Sequence, residues 1–278
     1  MKLVSSLHEI HDARRAFSGV VGLVPTMGYL HQGHLSLVER ASRECDHVVV
    51  SIFVNPAQFG PNEDLARYPR DLDRDLALLK PLEPDVVWTP ASEEMYPEGY
   101  QTWVEVEDLT RPLEGGLRPG HFRGVTTIVA RLFNAVRPDK AYFGQKDAQQ
   151  AAVLRRMTRD LSYPIEVVVC PTVREPDGLA MSSRNKYLEG TDRQAALVLS
   201  SALSSAGGAF HAGERNAESL RRIMLERLGA EPRARVQYVS CADYETLEEL
   251  EIIRRKALLS LAVFIGNTRL IDNLVLEP

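Results

Sequence analysis

Apolar residues along this chain gather into short runs, separated by stretches where they recur every three or four positions. Residues 20–25 (VVGLVP), 47–54 (HVVVSIFV) and 85–88 (DVVW) are short runs bounded by turn residues, as expected of strands buried on both faces. Between them, residues 34–44 carry Leu35, Leu37, Val38 and Ala41 at helical spacing. Residues 71–82 begin at Asp71, a good N-cap, and stop before Pro84. Further helices are predicted over 125–136 and 147–161, with strands over 140–143 and 165–170. Strands alternating with helices predict a parallel sheet covered on both faces. Ligands of such sheets bind beyond the carboxyl ends of the strands, so chemistry should follow Val24, Val54 and Phe143.

Beyond Pro171 the pattern changes. A polar loop leads to helices over 192–211 and 217–228, then strands over 236–242, 257–265 and 268–276. Gly266-Asn267 separates the last two and is a two-residue hairpin turn. The expected architecture is α/β: a parallel sheet with helices on both faces in residues 1–172, and a smaller α+β domain in residues 173–278. No Pro- or Ser-rich linker separates them, so close packing across a cleft, with the second domain covering it, is expected.

Composition narrows the classes. At 278 residues, 44% hydrophobic and 26% charged, the chain is ordinary for a globular protein. A net charge of −5 with no basic block makes nucleic acid a poor default partner. No apolar stretch approaches the roughly 20 residues of a membrane span. Cys45, Cys170 and Cys241 are odd in number and lack CxxC spacing, which argues against a disulfide framework or a zinc site and for a cytoplasmic location.

The strongest chemical signal is PTMGYLHQGH, residues 25–34, where a strand ends, a glycine-bearing turn follows and a helix begins. His31 and His34 can share one face of a helical turn. Free N–H groups at a helix start attract phosphate, and imidazoles there can donate to phosphate oxygens as charge develops. Surface histidines and a zinc site are the alternatives, the latter without a third ligand nearby in sequence. A second signal, Phe143-Gly144-Gln145-Lys146-Asp147, sets a cation at another strand-to-helix junction, followed by Gln149 and Gln150 in the first turn. A third, Met181-Ser182-Ser183-Arg184-Asn185, offers two hydroxyls and a guanidinium for a polyphosphate. Asn55 and Gln58 place amides beside a strand end. The loop from Leu113 to Gly124 reads as a lid or an interface, and Asp75 as a residue on the solvated side of a charged helix, with a metal role as its alternative.

Taken together these stretches resemble the pantothenate synthetase (pantoate–β-alanine ligase) family. The resemblance rests on PTMGYLHQGH, SIFVNPAQF, NEDLARYPR, MYPEG, LEGGLRPGHFRGV, FGQKDAQQ, PTVREPDGLAMSSRN and the terminal RLIDN, in order over nearly the whole chain. It implies a Rossmann-like N-terminal domain, a homodimer, and condensation of pantoate with β-alanine through a pantoyl adenylate, using ATP and Mg²⁺. Carried onto this sequence, it makes His34, His31, Lys146 and Arg184 catalytic. Met27, Gly28, Tyr29, Leu30, His31, Gln32, Gly33 and His34 would form the ATP cradle, with Gly144, Gln145, Lys146, Asp147, Val173, Met181, Ser182, Ser183 and Arg184 as further nucleotide contacts. Gln58 and Gln150 would bind pantoate, with Asn55 a further substrate residue. Gln145 stands where many members have Glu, and Arg74 precedes Asp75 where some have a second acid, so the metal is expected on the ATP phosphates rather than on the protein. Two other functions share some of these motifs: a nucleotidyltransferase that leaves the nucleotide on its product, and a nucleotide-binding regulator without turnover.

Overall fold

The computed structural model describes residues 1–61 and 63–278; Asn62, which opens the NEDLARYPR stretch, lies outside the described residues. Internal contacts divide the chain into two units, Met1–Gly144 with Val153–Pro171, and Gln145–Ala152 with Thr172–Pro278.

The first unit contains a six-stranded sheet in the order β1-β4-β3-β2-β5-β6. Its strands are β1 (Lys2–Val4), β2 (Val21–Thr26), β3 (His47–Ile52), β4 (Val86–Trp88), β5 (Lys140–Gly144) and β6 (Glu166–Cys170), all paired in parallel. Its helices are α1 (Leu7–Arg15), α2 (Gln32–Glu44), α3 (Leu72–Leu79), α4 (Ser92–Met95), α5 (Glu114–Leu117) and α6 (His121–Val136), and α7 (Ala148–Asp160) runs from the second unit into the first. Alternation along the strands builds two cores. Leu23, Val49, Trp88 and Phe143 pack with residues of α1, α6 and α7, while Val24, Val50, Val87 and Tyr142 pack with α2 and Leu79 of α3. A sheet with both faces covered needs strands whose consecutive central residues are apolar, as in Val48–Val50, Val86–Trp88, Ala141–Phe143 and Val167–Val169.

Several boundaries differ from the expectation. The α6 helix starts at His121, four residues before the apolar periodicity, and α3 ends at Leu79 with a 3-10 turn, Lys80–Leu82, completing the predicted stretch. Strand β1 and helix α1 lie outside the predicted elements. β1 is a three-residue edge strand, too short to show a period, and α1 is marked by the capping box of Ser6 and Glu9.

The second unit is a three-stranded antiparallel sheet, β7 (Ala234–Asp243), β8 (Ala257–Ile265) and β9 (Thr268–Leu276), with helices α8 (Gly190–Ala195), α9 (Leu197–His211) and α10 (Ala217–Gly229). Leu199, Leu203 and Phe210 of α9 and Leu220 and Met224 of α10 share a core with Leu259, Leu261 and Val263 of β8. The β8–β9 hairpin closes at Gly266-Asn267, where Gly266 has φ of 56°. The predicted helix over 192–211 is interrupted at Ala196, which ends α8 and caps α9. Residues 145–152 group with this unit because Asn273 of β9 holds the carbonyls of the turn that begins there.

Candidate active site

In the first unit the polar groups gather where β2 and β3 end. Past Thr26 the chain turns sharply, with Gly28 at φ 80° and Tyr29 at φ 51°. The left-handed conformation at Tyr29 is unfavourable for a side chain of that size and must be held from outside. Asp75 holds it: the Tyr29 and Leu30 N–H groups donate to Asp75 Oδ2 and Oδ1, each at 2.7 Å. The Arg74 guanidinium lies 4.7 Å from the Tyr29 ring centre. Asp75 is 1% exposed, which corrects the expectation of a solvated residue. Burial pushes its carboxyl above the ordinary aspartate value, opposed by the two N–H groups and by Arg74, which favour the charged form. With both oxygens engaged by backbone, it is poorly suited to hold a metal. Among the described residues no three His, Cys, Asp or Glu side chains cluster as a metal site.

The turn delivers His31 to the N-cap of α2. His31 Nδ1 accepts from the Gly33 N–H at 3.2 Å, and His34 Nδ1 accepts from the His31 N–H at 3.3 Å. The rings lie 4.0 Å apart. A ring nitrogen that accepts carries no hydrogen, so in both neutral imidazoles the hydrogen sits on Nε2. The local backbone thus turns each histidine into an Nε2–H donor at the positive end of a 13-residue helix.

After β3, Asn55 caps a 3-10 turn, Pro56–Gln58. Its amide is fully engaged. Oδ1 accepts from the Ala57 N–H at 3.3 Å and from Tyr96 Oη at 2.8 Å, while Nδ2 donates to Gly124 O at 3.1 Å and Gln58 Oε1 at 3.0 Å. A backbone donor and a backbone acceptor fix which end is oxygen, and this fixes the Gln58 amide in turn, leaving its Nε2 3.0 Å from Met27 Sδ. Asn55 therefore orients Gln58; with all four hydrogen-bond positions filled, its side chain is ill-suited to bind substrate directly.

The Leu113–Gly124 segment, expected as a lid or an interface, is built into this unit. His121 Nδ1 donates to Gln58 O at 2.8 Å, and Arg118 Nη1 lies 3.0 Å from His121 Nε2. Glu63 pairs with Arg118 through two bonds of 2.7 Å. Burial, and then the neighbouring Arg118 charge, lower the His121 pKa to about 4. A Cβ at Gly124 would lie 2.2 Å from Ala57 O, so only glycine admits this approach of α6 to the turn.

The second unit carries the other sequence signals. Gly144 ends β5, and Gln145, Lys146 and Asp147 form a 3-10 turn ahead of α7, with Lys146 Nζ 3.9 Å from Asp147 Oδ1. Gln149 is buried and Gln150 is partly exposed in the first turn of α7. Residues 173–181 fold back on themselves, the Met181 N–H donating to Val173 O at 3.0 Å, with Gly178 at φ 95° in the bend. Ser182 then caps a 3-10 helix, Ser183–Tyr187, through Arg184 N at 3.2 Å. Asn185 Nδ2 donates to Glu175 Oε1 at 2.7 Å and Ala180 O at 3.1 Å, pinning the start of this helix.

Tyr96, Glu63, Asp272 and Asn273 lie in stretches that carry the family resemblance, but no role is assigned to them from sequence, and Tyr244 lies outside those stretches. Asp272 and Asn273 carry a usable signal: adjacent polar residues interrupt the alternation of β9, and both are buried. The thiols of Cys45 and Cys170 are raised by burial, and that of Cys241 to about 11, so none resembles an activated nucleophile. No helix among the described residues is long and apolar enough to cross a membrane.

Comparison with known proteins gives a consistent result. Residues 1–275 match the family model described as pantoate-beta-alanine ligase. The pantothenate synthetase of Roseiflexus castenholzii is 60% identical over 277 residues, covering 100% of both chains. The crystal structure of pantothenate synthetase from Thermus thermophilus superposes with a TM-score of 0.96 at 51% identity, again covering 100% of both chains. That of the pantoate-beta-alanine ligase from Francisella tularensis, complexed with beta-gamma ATP and beta-alanine, gives 0.82 at 35% identity, covering 99% of this chain and 97% of that one.

Proposed function

The chain belongs to the pantoate–β-alanine ligase family and is an enzyme that joins pantoate to β-alanine with ATP, and within that activity we propose a two-step course through a pantoyl adenylate. A carboxylate is a poor acyl donor, whereas its mixed anhydride with AMP carries a good leaving group. In the first step a pantoate carboxylate oxygen bonds to the α-phosphorus of ATP, the α–β bridging bond breaks, and pyrophosphate departs. In the second the β-alanine amine bonds to the acyl carbon, AMP departs with the electrons of the acyl–oxygen bond, and the nitrogen releases a proton to solvent.

The observation that carries this reading is the pair of Nδ1-accepting histidines, which makes His31 and His34 donors toward phosphate oxygens at a helix start. Lys146 and Arg184 offset charge on the phosphates, while Ser182, Ser183, Met181, Val173, Gly144, Gln145 and Asp147 complete the nucleotide contacts. Gln58, its amide direction set by Asn55, and Gln150 bind pantoate. Mg²⁺ bound to the triphosphate would supply neutralising charge there, and Asp75, with both oxygens held by backbone N–H groups, would not be its ligand. On the family resemblance we also assign a homodimer working in the cytoplasm, the former checked by light scattering of the purified protein.

The experiment uses pantoate labelled with ¹⁸O in its carboxylate. Attack on the α-phosphorus puts one label into AMP. Label in inorganic phosphate, with ADP as co-product, would mean an acyl phosphate and reject the adenylate.

A further inference from the structure

Two segments of the second unit, the Lys146 turn and the loop reaching Ser182, Ser183 and Arg184, are far apart in sequence yet tied to neighbouring residues of one strand. Asn273 of β9 donates from Nδ2 to Gln145 O at 3.0 Å and to Lys146 O at 2.9 Å. Gln145 Nε2 donates back to Asn273 Oδ1 at 3.0 Å, and Tyr244 Oη donates to Gln145 Oε1 at 3.1 Å. The two carbonyls can only accept, so they settle the direction of the Asn273 amide, and that settles Gln145.

Asp272, one residue earlier, forms a two-pronged pair with Arg174: Nη1 to Oδ2 at 2.7 Å and Nη2 to Oδ1 at 2.9 Å. Arg174 Nη1 also donates to Gly178 O at 3.0 Å, which closes the 173–181 fold that leads into Ser182. Asp272 is 2% exposed and Asn273 5% exposed, so on the strand side a lost partner leaves a buried polar group unsatisfied. Neighbouring side chains leave a strand in opposite directions, which lets two adjacent residues hold two separate segments.

We infer that Asp272 and Asn273 are positioning residues for the ligase reaction, Asn273 setting the backbone from which Lys146 projects and Asp272 setting the loop that carries Ser182, Ser183 and Arg184. The inference rests on the proposed roles of those four residues toward phosphate. Gln145 is included as a link, its side-chain amide engaged at both ends, so that its own part in nucleotide binding falls to the backbone.

The test is pantoate-dependent exchange of labelled pyrophosphate into ATP by the full-length enzyme. Asn273→Asp keeps the volume and removes both donors, setting a carboxylate against two carbonyls. Exchange kcat should fall roughly 30-fold while KM for pantoate stays within about twofold. In a Lys146→Ala background the same change should cost less than about twofold, because the group it positions is gone. Wild-type exchange by Asn273→Asp, or an undiminished loss in the Lys146→Ala background, overturns the inference. Should Lys146→Ala itself exchange at the normal rate, the role of Lys146 fails first and the positioning role with it. If Asn273→Asp does not fold, Tyr244→Phe removes the hydroxyl that donates to Gln145 Oε1 and leaves the Asn273 amide in place. A fall of about threefold that disappears in the Lys146→Ala background then supports the inference, and no fall overturns it.

Discussion

In the first unit the groups that shape the site act on backbone: Asp75 takes the N–H groups of Tyr29 and Leu30, Asn55 takes Ala57 N–H and Gly124 O, and His121 takes Gln58 O. In the second unit the anchors sit on the last strand of the chain, Asn273 on a turn far upstream and Asp272 on a guanidinium that closes a loop. The first arrangement is local to the ends of parallel strands, where the main chain must already leave the sheet and its polar groups need partners. The second is a brace from a hairpin that itself comes late in sequence. The contrast teaches that the same task, fixing a loop, is done in the first unit by side chains of helix starts and turns that meet the chain leaving β2 and β3, and in the second by two adjacent side chains of one antiparallel strand.

His34→Ala probes the first unit at its centre. Removal of one Nε2–H donor from the helix start should lower pantoate-dependent pyrophosphate exchange by about 10²–10³-fold, with the fold unchanged by circular dichroism. Activity within tenfold of wild type would remove the histidine pair from the chemistry.

His121 gives a pH signature. Its pKa is lowered from 6.5 to about 4 by burial, then by Arg118, so the unfolded chain binds a proton at higher pH than the folded one. The stability this contributes is present above pH 6.5 and is lost as pH falls from there to about 4, some 3 kcal/mol in all. Urea titrations across that window should show the loss, and His121→Gln should flatten that part of the profile. An identical slope in the variant would contradict the assignment.

Asp75→Asn is expected to cost about 2–3 kcal/mol of stability, since one amide cannot accept from both N–H groups and its own NH₂ faces one of them. The variant should also lose exchange activity, because the turn presenting His31 relaxes. Gly124→Ala is the smallest expected effect, about 1–3 kcal/mol, as α6 moves back from Ala57 O. Its accompanying rise in KM for pantoate, through Gln58, separates it from a purely structural change.

Much of this is legible in the chain. Uninterrupted apolar runs mark β2, β3 and β4, a good cap marks the start of α3 at Asp71, and Gly266-Asn267 marks the final hairpin. The histidine pair is legible as a motif because strand, glycine turn and helix start are contiguous. Asp75 is not, because a residue in a stretch as charged as Asp71–Asp75 reads as solvated when burial is unknown.

The sequence by itself determined the alternation of strands and helices, the change of pattern after Pro171, and the family to which the chain belongs. These depend on neighbours a few positions apart, whose spacing is written in the chain. Only the tertiary structure decided which nitrogen of His31 and His34 bears the hydrogen, which end of the Gln58 amide meets Asn55 and which meets Met27, and that Asn273 holds the backbone of Lys146. Each is fixed by a hydrogen bond whose existence depends on distance and direction in space, and local pattern carries no record of that.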